Sequence, residues 1–503
     1  MTPPDWLEPL PDAERMRATD RWAIEELGIP GVELMERAGA GLAQAVARVA
    51  PDGPIAVVCG KGNNAGDGYV AARVLREQGR DVRVLAVADP AELRGDAAEH
   101  AARLPGPAPE PFAPARLDGA GAAVDALLGT GATGAPRGDV AAAIEALVAA
   151  ALPVVAADVP SGVDASTGTV AGAAVAAAAT ATFGAAKPGL WISPGKAHAG
   201  AVTVVDLGIP AGAPVAPADV GLIADGPLLA ALPRRGAGWT KFTSGPVLVA
   251  GGSRGLTGAP TLAAEAAQRA GAGYVTACVP ASVQAILAGR LLEVMTRGLP
   301  DADGAHTEAG VDAVLELAAR GGALVAGPGL GRTDGAFAFV RALLRRADVA
   351  AVLDADGLNA HAGDLGALAG RPGPTVLTPH EGELARLLEV DSGAVQARRL
   401  EHARAAAAAA QSIVVLKGDD TLVARPDGLV AVSPGATAAL ATAGTGDVLS
   451  GVVAAVLARG VDPFTAACAA VRLHARAGVH AARQRGVDGV IARDVIEALP
   501  FAR

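Results

Sequence analysis

"CGKGNNAGDG", residues 59–68, follows the apolar run "IAVV" (55–58) and precedes "YVAARVLREQG" (69–79). An apolar run, a glycine-rich turn and an Ala/Leu/Arg segment predict strand, turn and helix, the unit from which parallel α/β sheets are built. Gly60, Gly62 and Gly66 form G-x-G-x-x-x-G, one residue longer than the dinucleotide fingerprint. Asp89 lies near where a ribose-binding acid would follow, so a dinucleotide site stays open at this point. A phosphate P-loop is excluded, because no Gly-Lys-Ser/Thr follows. Asn63, Asn64 and Asp67 instead offer polar side chains where a phosphate cradle uses bare backbone. They stand at the carboxyl end of the strand, where an open α/β sheet has its ligand crevice.

The same alternation runs outward in both directions. Strands are expected at 55–59, 81–87, 123–129, 153–160, 180–186 and 201–208, with helical stretches between them. Proline and glycine crowd 208–245, which reads as a linker with one short helix. Alternation resumes at 246–252, 274–280, 323–331, 350–359, 375–383, 412–421 and 429–435. Two α/β domains follow, 1–215 and 225–503, in keeping with a 503-residue length.

Aromatics are 3% of the chain, so its cores are built from Ala, Val and Leu. A net charge of −10 argues against nucleic acid as a partner. Cys59, Cys278 and Cys468 show no pairing or metal-binding pattern and read as buried thiols in a reducing compartment. The first residues lack a secretion signal. The charge-free stretch 170–186 is Ala/Gly/Thr-rich and reads as buried helix plus strand, not a membrane span, and "ARAAAAAAQ" (403–411) as a plain helix. A cytoplasmic protein without membrane contact is expected.

Two further strand ends carry chemistry. "AVDALLGTGATGAPRGD" (123–139) puts Asp125 inside an apolar strand before a second glycine-rich loop. "VVAADVPSGVDASTG" (154–168) puts Asp158 and Ser161 at another strand end. Either carboxylate alone could serve a turn or a backbone amide. Three such ends in one domain favour a crevice whose amide, carboxylate and hydroxyl oxygens suit a weakly held cation.

Together "GKGNNAGDG", "DALLGTG", "DVPSGVDASTG" and "TFGAAKPGLW" resemble the NAD(P)H-hydrate epimerase domain, over about residues 10–210. The resemblance implies a Rossmann-like three-layer fold. It implies substrate contacts at Asn63, Asn64, Ala65, Gly66 and Asp67, and in the loop Gly129, Thr130, Gly131, Ala132, Thr133, Gly134 and Ala135. It also implies potassium at Asn64, Asp125 and Ser161, and a substrate-contacting acid/base role for Asp158. Ala65 replaces a glycine of many relatives, and Ser166 an aspartate.

In the second half, "LATAGTGDVLSG" (440–451) is the strongest signal. Gly444, Gly446 and the start of a helix at Val448 cluster backbone N–H groups for an anion, with Asp447 within reach of a phosphoryl acceptor. Asp447 could equally be a plain N-cap, and His380 in "LTPHEGE" (377–383) a structural histidine. "LKGDDT" (416–421) supplies Lys417 and Thr421 at a strand end. The glycine–aspartate pattern resembles ribokinase-like small-molecule kinases. With "VLVAGGSRGLTGAPTLAAEAAQRAGAGYVT", "GPGLG" and "LDADGLN", the set resembles the ADP-dependent NAD(P)H-hydrate dehydratase over about 240–500. That resemblance implies a ribokinase-like α/β domain and substrate contacts at Ala259, Gly329 (or Gly331), His380 and Asp447. It implies nucleotide contacts at Lys417, Gly418, Asp419, Asp420, Thr421 and Gly446.

Such a fold suits dehydration. Hydroxide leaves poorly and phosphate well, so phosphorylating the unwanted hydroxyl eases elimination, with Asp447 as base and Mg²⁺ with ADP. The expected protein is a bifunctional repair enzyme for hydrated NADH and NADPH that forms a homo-oligomer. A vitamin or sugar kinase, and an N-terminal domain that serves only as an interaction module, are the alternatives.

Overall fold

The computed structural model describes residues 3–503, which form two compact units. One is Pro9–Gly221; the other joins Pro3–Glu8 to Leu222–Arg503.

The first unit holds seven strands in the order Glu110–Pro111, Val82–Ala86, Ile55–Cys59, Ala122–Ala126, Val154–Ala157, Ala179–Phe183 and Ala201–Val205. Every pairing is parallel. Strands buried along their whole length explain the unbroken apolar runs in the sequence: all five residues of Ile55–Cys59 are buried, as are all five of Ala122–Ala126. Strand order reverses between those two neighbours, so the crevice opens at their carboxyl ends. Close approach there depends on glycine. A Cβ on Gly60 would lie 2.3 Å from the carbonyl oxygen of Leu127. One core layer gathers Leu42, Val46, Tyr69 and Leu75 from the helices Gly31–Val49 and Asn63–Glu77; the other gathers Ile144 and Leu147 from Gly138–Ala149.

The second unit has an eleven-stranded sheet. Its parallel part runs Ile413–Leu416, Thr375–Leu377, Ala350–Leu353, Ala323–Ala326, Pro246–Ala250, Tyr274–Pro280, Met295–Leu299. Beyond Ile413–Leu416, Leu422–Ala424 and Val430–Val432 pair antiparallel, followed by Val220–Ile223 and Leu7–Pro9. Order reverses between Pro246–Ala250 and Ala323–Ala326. A Cβ on Gly251 there would lie 2.3 Å from the Pro328 carbonyl oxygen. The α/β expectation for both halves holds.

Three local expectations change. No helix forms in 170–178; the residues run irregularly into the strand Ala179–Phe183. Their amides find partners elsewhere: Val175 donates to Ser161 O (2.9 Å), Ala177 to His198 O (2.9 Å) and Ala178 to Val154 O (2.8 Å). The linker contains its short helix, Asp225–Ala230, but also the strand Val220–Ile223. Leu7–Pro9 and Met295–Leu299 are strands that the alternation did not reveal.

Candidate functional site

In the first unit a cavity of about 620 Å³ opens at the strand-order reversal. Asn63, Asn64, Asp67, Gly129, Thr130, Gly131, Ala132 and Asp158 all line it. Ala65 and Gly66 are not part of the lining: Ala65 is fully buried, and a Cβ on Gly66 would lie 2.4 Å from the Sδ of the lining residue Met35. Thr133, Gly134 and Ala135 continue the loop in exposed positions outside the lining. Asp89 accepts from Ala91 N (2.9 Å) as a local turn cap, away from the cavity lining.

Asp158 follows the strand Val154–Ala157 with φ +68°, a conformation costly for a non-glycine residue and one that turns its side chain into the crevice mouth. Lys187 Nζ donates to its Oδ1 at 2.6 Å and Phe183 N at 3.3 Å; Thr130 N donates to Oδ2 at 3.0 Å, and so does the Thr130 hydroxyl. Burial opposes the charge. The Lys187 ammonium and the Thr130 donors outweigh it and hold the Asp158 pKa below the ordinary carboxylate value. Asp67 goes the other way: burial, then the neighbouring Asp158, push it well above that value, and Lys187 offsets only part.

Behind the lining, Asp125 is fully buried. Its Oδ1 accepts from the Ser161 hydroxyl (2.6 Å) and Leu127 N (3.2 Å), its Oδ2 from Ser161 N (2.8 Å). Burial raises its pKa to about 6, and among the described residues no basic side chain pairs with it. Asn64 is 8% exposed, and neither amide atom of its side chain has a partner. Its Oδ1 would lie 3.2 Å from a Cβ on Gly129, beside the turn that Ser161 supports by accepting from Leu128 N (2.9 Å). A carboxylate without a basic partner and an orphaned amide oxygen at one turn are oxygens that could hold a weakly bound cation.

In the second unit, Gly444 (φ +89°) caps the helix Thr445–Leu457, and Asp447 is the third helical residue. Asp447 is therefore not the N-cap, and its carboxyl remains available. Burial, then Asp354, raise its pKa to about 7, with Lys417 pulling the other way. Lys417 follows the strand Ile413–Leu416 and donates to Asp354 Oδ1 at 3.1 Å; Glu383 Oε2 lies 3.6 Å away. Burial works against the Lys417 charge, but Asp354 and Glu383 raise its pKa above the usual lysine value. A Cβ on Gly446 would lie 3.4 Å from Lys417 Nζ, so the lysine reaches the glycine at the helix start. Ser450, one turn along, donates to Asp354 Oδ2 at 2.5 Å.

The other expected contacts occupy the same end of the sheet. Gly329 (φ +64°) would put a Cβ 3.3 Å from Ala259 Cβ, so these two residues adjoin, and Ser253 donates to Gly329 O at 2.9 Å. The Gly331 amide is used by Asp356 Oδ2 at 3.1 Å. His380 caps the helix Glu381–Leu388: its Nδ1 accepts from Gly382 N (3.0 Å), while Glu383 accepts from His380 N (2.9 Å). Its ring is more than half exposed. Gly418 and Thr421 close on each other, the Gly418 amide donating to Thr421 Oγ1 at 3.2 Å. Buried Asp420 binds Arg399 at 3.1 Å, whereas its neighbour Asp419 is exposed.

Lys187, Asp354, Glu383 and Ser450 escaped the residue-by-residue reading. Two left a signal. Lys187 is a single charge in the apolar stretch 179–195, and Asp354 directly follows an apolar strand just as Asp158 does. Glu383 and Ser450 look like ordinary helix residues.

Comparison with known proteins follows this division. Residues 31–189 match the family model of the YjeF-related protein N-terminus, and residues 247–501 that of NAD(P)H-hydrate dehydratase. The bifunctional NAD(P)H-hydrate repair enzyme of Moorella thermoacetica is 42% identical over 97% of this chain and 95% of its own length. That of Salinibacter ruber is 40% identical over 98% and 95%. The ADP/ATP-dependent NAD(P)H-hydrate dehydratase from Bacillus subtilis, co-crystallised with ATP/Mg²⁺, is 32% identical, with a TM-score of 0.46 over 55% of this chain and 94% of its own. The chain belongs to the family of bifunctional NAD(P)H-hydrate repair enzymes.

Proposed function

We propose that the chain restores hydrated NADH and NADPH, the unit Pro9–Gly221 exchanging the R and S epimers and the unit holding Leu222–Arg503 dehydrating the S form with ADP, giving AMP and phosphate. The observation that carries this reading is the two carboxyl groups that no capping duty consumes, Asp158 just after a strand in the first unit's cavity and Asp447 in the first turn of a glycine-led helix in the second. Relatives matched over nearly the full length are named bifunctional NAD(P)H-hydrate repair enzymes, and residues 247–501 match the NAD(P)H-hydrate dehydratase family model.

In the first unit Asp158 is a base held charged by Lys187 and aimed into the cavity. The substrate carbon that bears the hydroxyl also bears the ring nitrogen, so proton transfers alone open and re-form that centre. Thr130 fixes one carboxylate oxygen and Lys187 the other, which orients the base. Asn64, Asp125 and Ser161 fit a weakly held monovalent cation such as potassium, since Asp125 lacks a counter-ion and Asn64 a partner. Bound there, the ion would neutralise Asp125 and pin the 127–130 turn against the substrate.

In the second unit Asp447 takes the proton from the substrate hydroxyl as that oxygen accepts a phosphoryl group. A pKa near 7 suits a base that must release the proton again. Gly444 and Gly446 leave backbone N–H groups open to phosphate oxygens at the helix start. Magnesium on the nucleotide would supply further charge neutralisation. Ala259 and Gly329 form the substrate side. Lys417, Gly418, Asp419, Thr421 and Gly446 form the nucleotide side, with Asp420 bracing its loop through Arg399. Cytoplasmic residence and self-association fit the same reading.

The test is direct. The protein is incubated with a mixture of both NADH-hydrate epimers, ADP and Mg²⁺, and the reduced-nicotinamide absorbance is followed. Full recovery of cofactor with release of inorganic phosphate is expected. Recovery that stops at the S fraction would remove the epimerase half; a stable phosphorylated product would make the second unit a kinase.

A further inference from the structure

The first unit's cavity holds more carboxyl groups than cations to neutralise them. Asp20, Asp67, Asp96 and Asp158 line it with one buried cation, Lys187; Arg17 and Lys61 are exposed at its edge. Lys187 commits three hydrogen bonds, to Asp158 Oδ1 (2.6 Å), Thr182 Oγ1 (2.9 Å) and Phe183 O (2.7 Å), and so has no proton left for Asp67. Asp67 is 8% exposed, lies in the helix Asn63–Glu77, and faces the cavity. Among the described residues no group hydrogen-bonds its carboxyl. Two carboxyl groups in one cavity thus have opposite surroundings, one rich in donors and one bare. That is the arrangement in which one stays charged and the other keeps its proton. The raised Asp67 and lowered Asp158 values agree with it.

We propose that Asp67 is the proton donor that works with Asp158 in epimerisation, a catalytic role beyond contact with the substrate. The inference rests on the epimerase reading. Asp158 takes the hydroxyl proton, and the O–H electron pair becomes the second C–O bond. The bond from that carbon to the ring nitrogen breaks, its pair goes to the nitrogen, and the nitrogen takes the proton of Asp67. The open aldehyde turns about its single bond and presents the other face. The nitrogen then attacks, Asp67 recovers its proton, and Asp158 returns the other to oxygen. Nothing is oxidised or reduced, and no co-reactant is consumed.

Several groups share the cavity with Asp67: Asp20 and Arg17 from the helix Ala13–Glu25, Asp96 from Gly95–Ala102, Lys61 from the glycine turn, and the pair Asp158–Lys187. Asp20 is the competing acid, because burial raises it as well, although Lys187 offsets part. The experiment therefore measures R/S exchange of NADH hydrate from pH 5 to 10 for the full chain and for Asp67→Asn, Asp67→Glu and Asp20→Asn. The parent should lose rate on the alkaline side, where the donor is deprotonated. Asp67→Asn should lower kcat by about 10²–10⁴-fold, leave KM within about threefold and abolish the alkaline fall. Asp67→Glu should keep that fall, and its retention guards against a misfolded Asn variant. Parental kcat and an unchanged alkaline fall in Asp67→Asn would overturn the proposal. A fall abolished by Asp20→Asn instead would also overturn it. A parent chain that never exchanges the epimers would sink the epimerase reading itself, a separate outcome.

Discussion

The two strand-end sites treat their lysine differently. In the first, Lys187 bonds directly to the working carboxylate and keeps Asp158 charged. In the second, Lys417 is held by Asp354 and Glu383, and Asp447 feels it only as a neighbour. The first carboxylate is therefore a base ready at any physiological pH, and the second titrates near neutrality. The difference suits the two jobs. Proton exchange at a reversible centre needs a base that is charged whenever the substrate arrives. Phosphoryl transfer followed by elimination suits a group poised near its own pKa.

The largest effect that would sharpen this contrast is Asp447→Asn. It should retain nucleotide binding and cut dehydration by about 10²–10⁴-fold, measured on the S epimer alone. Dehydration at the parental rate would break the comparison on that side.

Next come the lysines. Lys187→Met strands a buried carboxylate and should destabilise the first unit by about 3–5 kcal/mol, read by thermal melting. Lys417→Met should cost less, because that side chain is 22% exposed. It should also move the acid side of the dehydration profile to higher pH, since Lys417 lowers Asp447.

The pH profiles differ in a defined direction. Asp447 must be charged to act as base, so dehydration should fall about tenfold for each pH unit below about 7. Epimer exchange should show no acid-side loss in that range, because the Asp158 pKa is lowered. Stability runs in the opposite sense for Asp447. Its folded pKa lies above the unfolded value, so its contribution is fully present below that value and is lost as pH rises through about 7. Asp447→Asn should accordingly melt higher than the parent at pH 8 and alongside it at pH 4.

The smallest effect is His380→Ala. Losing the cap of the helix Glu381–Leu388 should cost about 1 kcal/mol. Substrate affinity that drops without a change in melting would give His380 the contact role instead.

Much of this was readable because buried parallel strands leave unbroken apolar runs, and a carboxylate at the end of such a run is conspicuous. Asp125 and Asp158 stand out in that way, and Asp447 through the glycines that precede it at a helix start. Asp354 has the same strand-end signature, directly after the strand Ala350–Leu353. The pairing of Lys187 with Asp158 lies 29 residues apart in sequence and follows from neither local pattern. The stretch 170–178 misled because alanine favours helices, whereas its amides are bound by Ser161, His198 and Val154. Leu7–Pro9 and Val220–Ile223 are short strands in proline-rich surroundings, which composition alone reads as loops.

The strand at Leu7–Pro9 has a consequence for biosynthesis. Trp6 packs against Phe464 with ring centroids 5.7 Å apart and planes tilted by 31°, and its carbonyl accepts from Ala224 N, so the start of the chain meets its last third in the second unit. In topology the epimerase unit is an insertion within the dehydratase. A ribosome can release the inserted body as a finished fold, while the first few residues wait for the last third of the polypeptide to emerge. Trimming the chain up to Glu8 should therefore spare epimer exchange and weaken the half of the enzyme encoded farthest away.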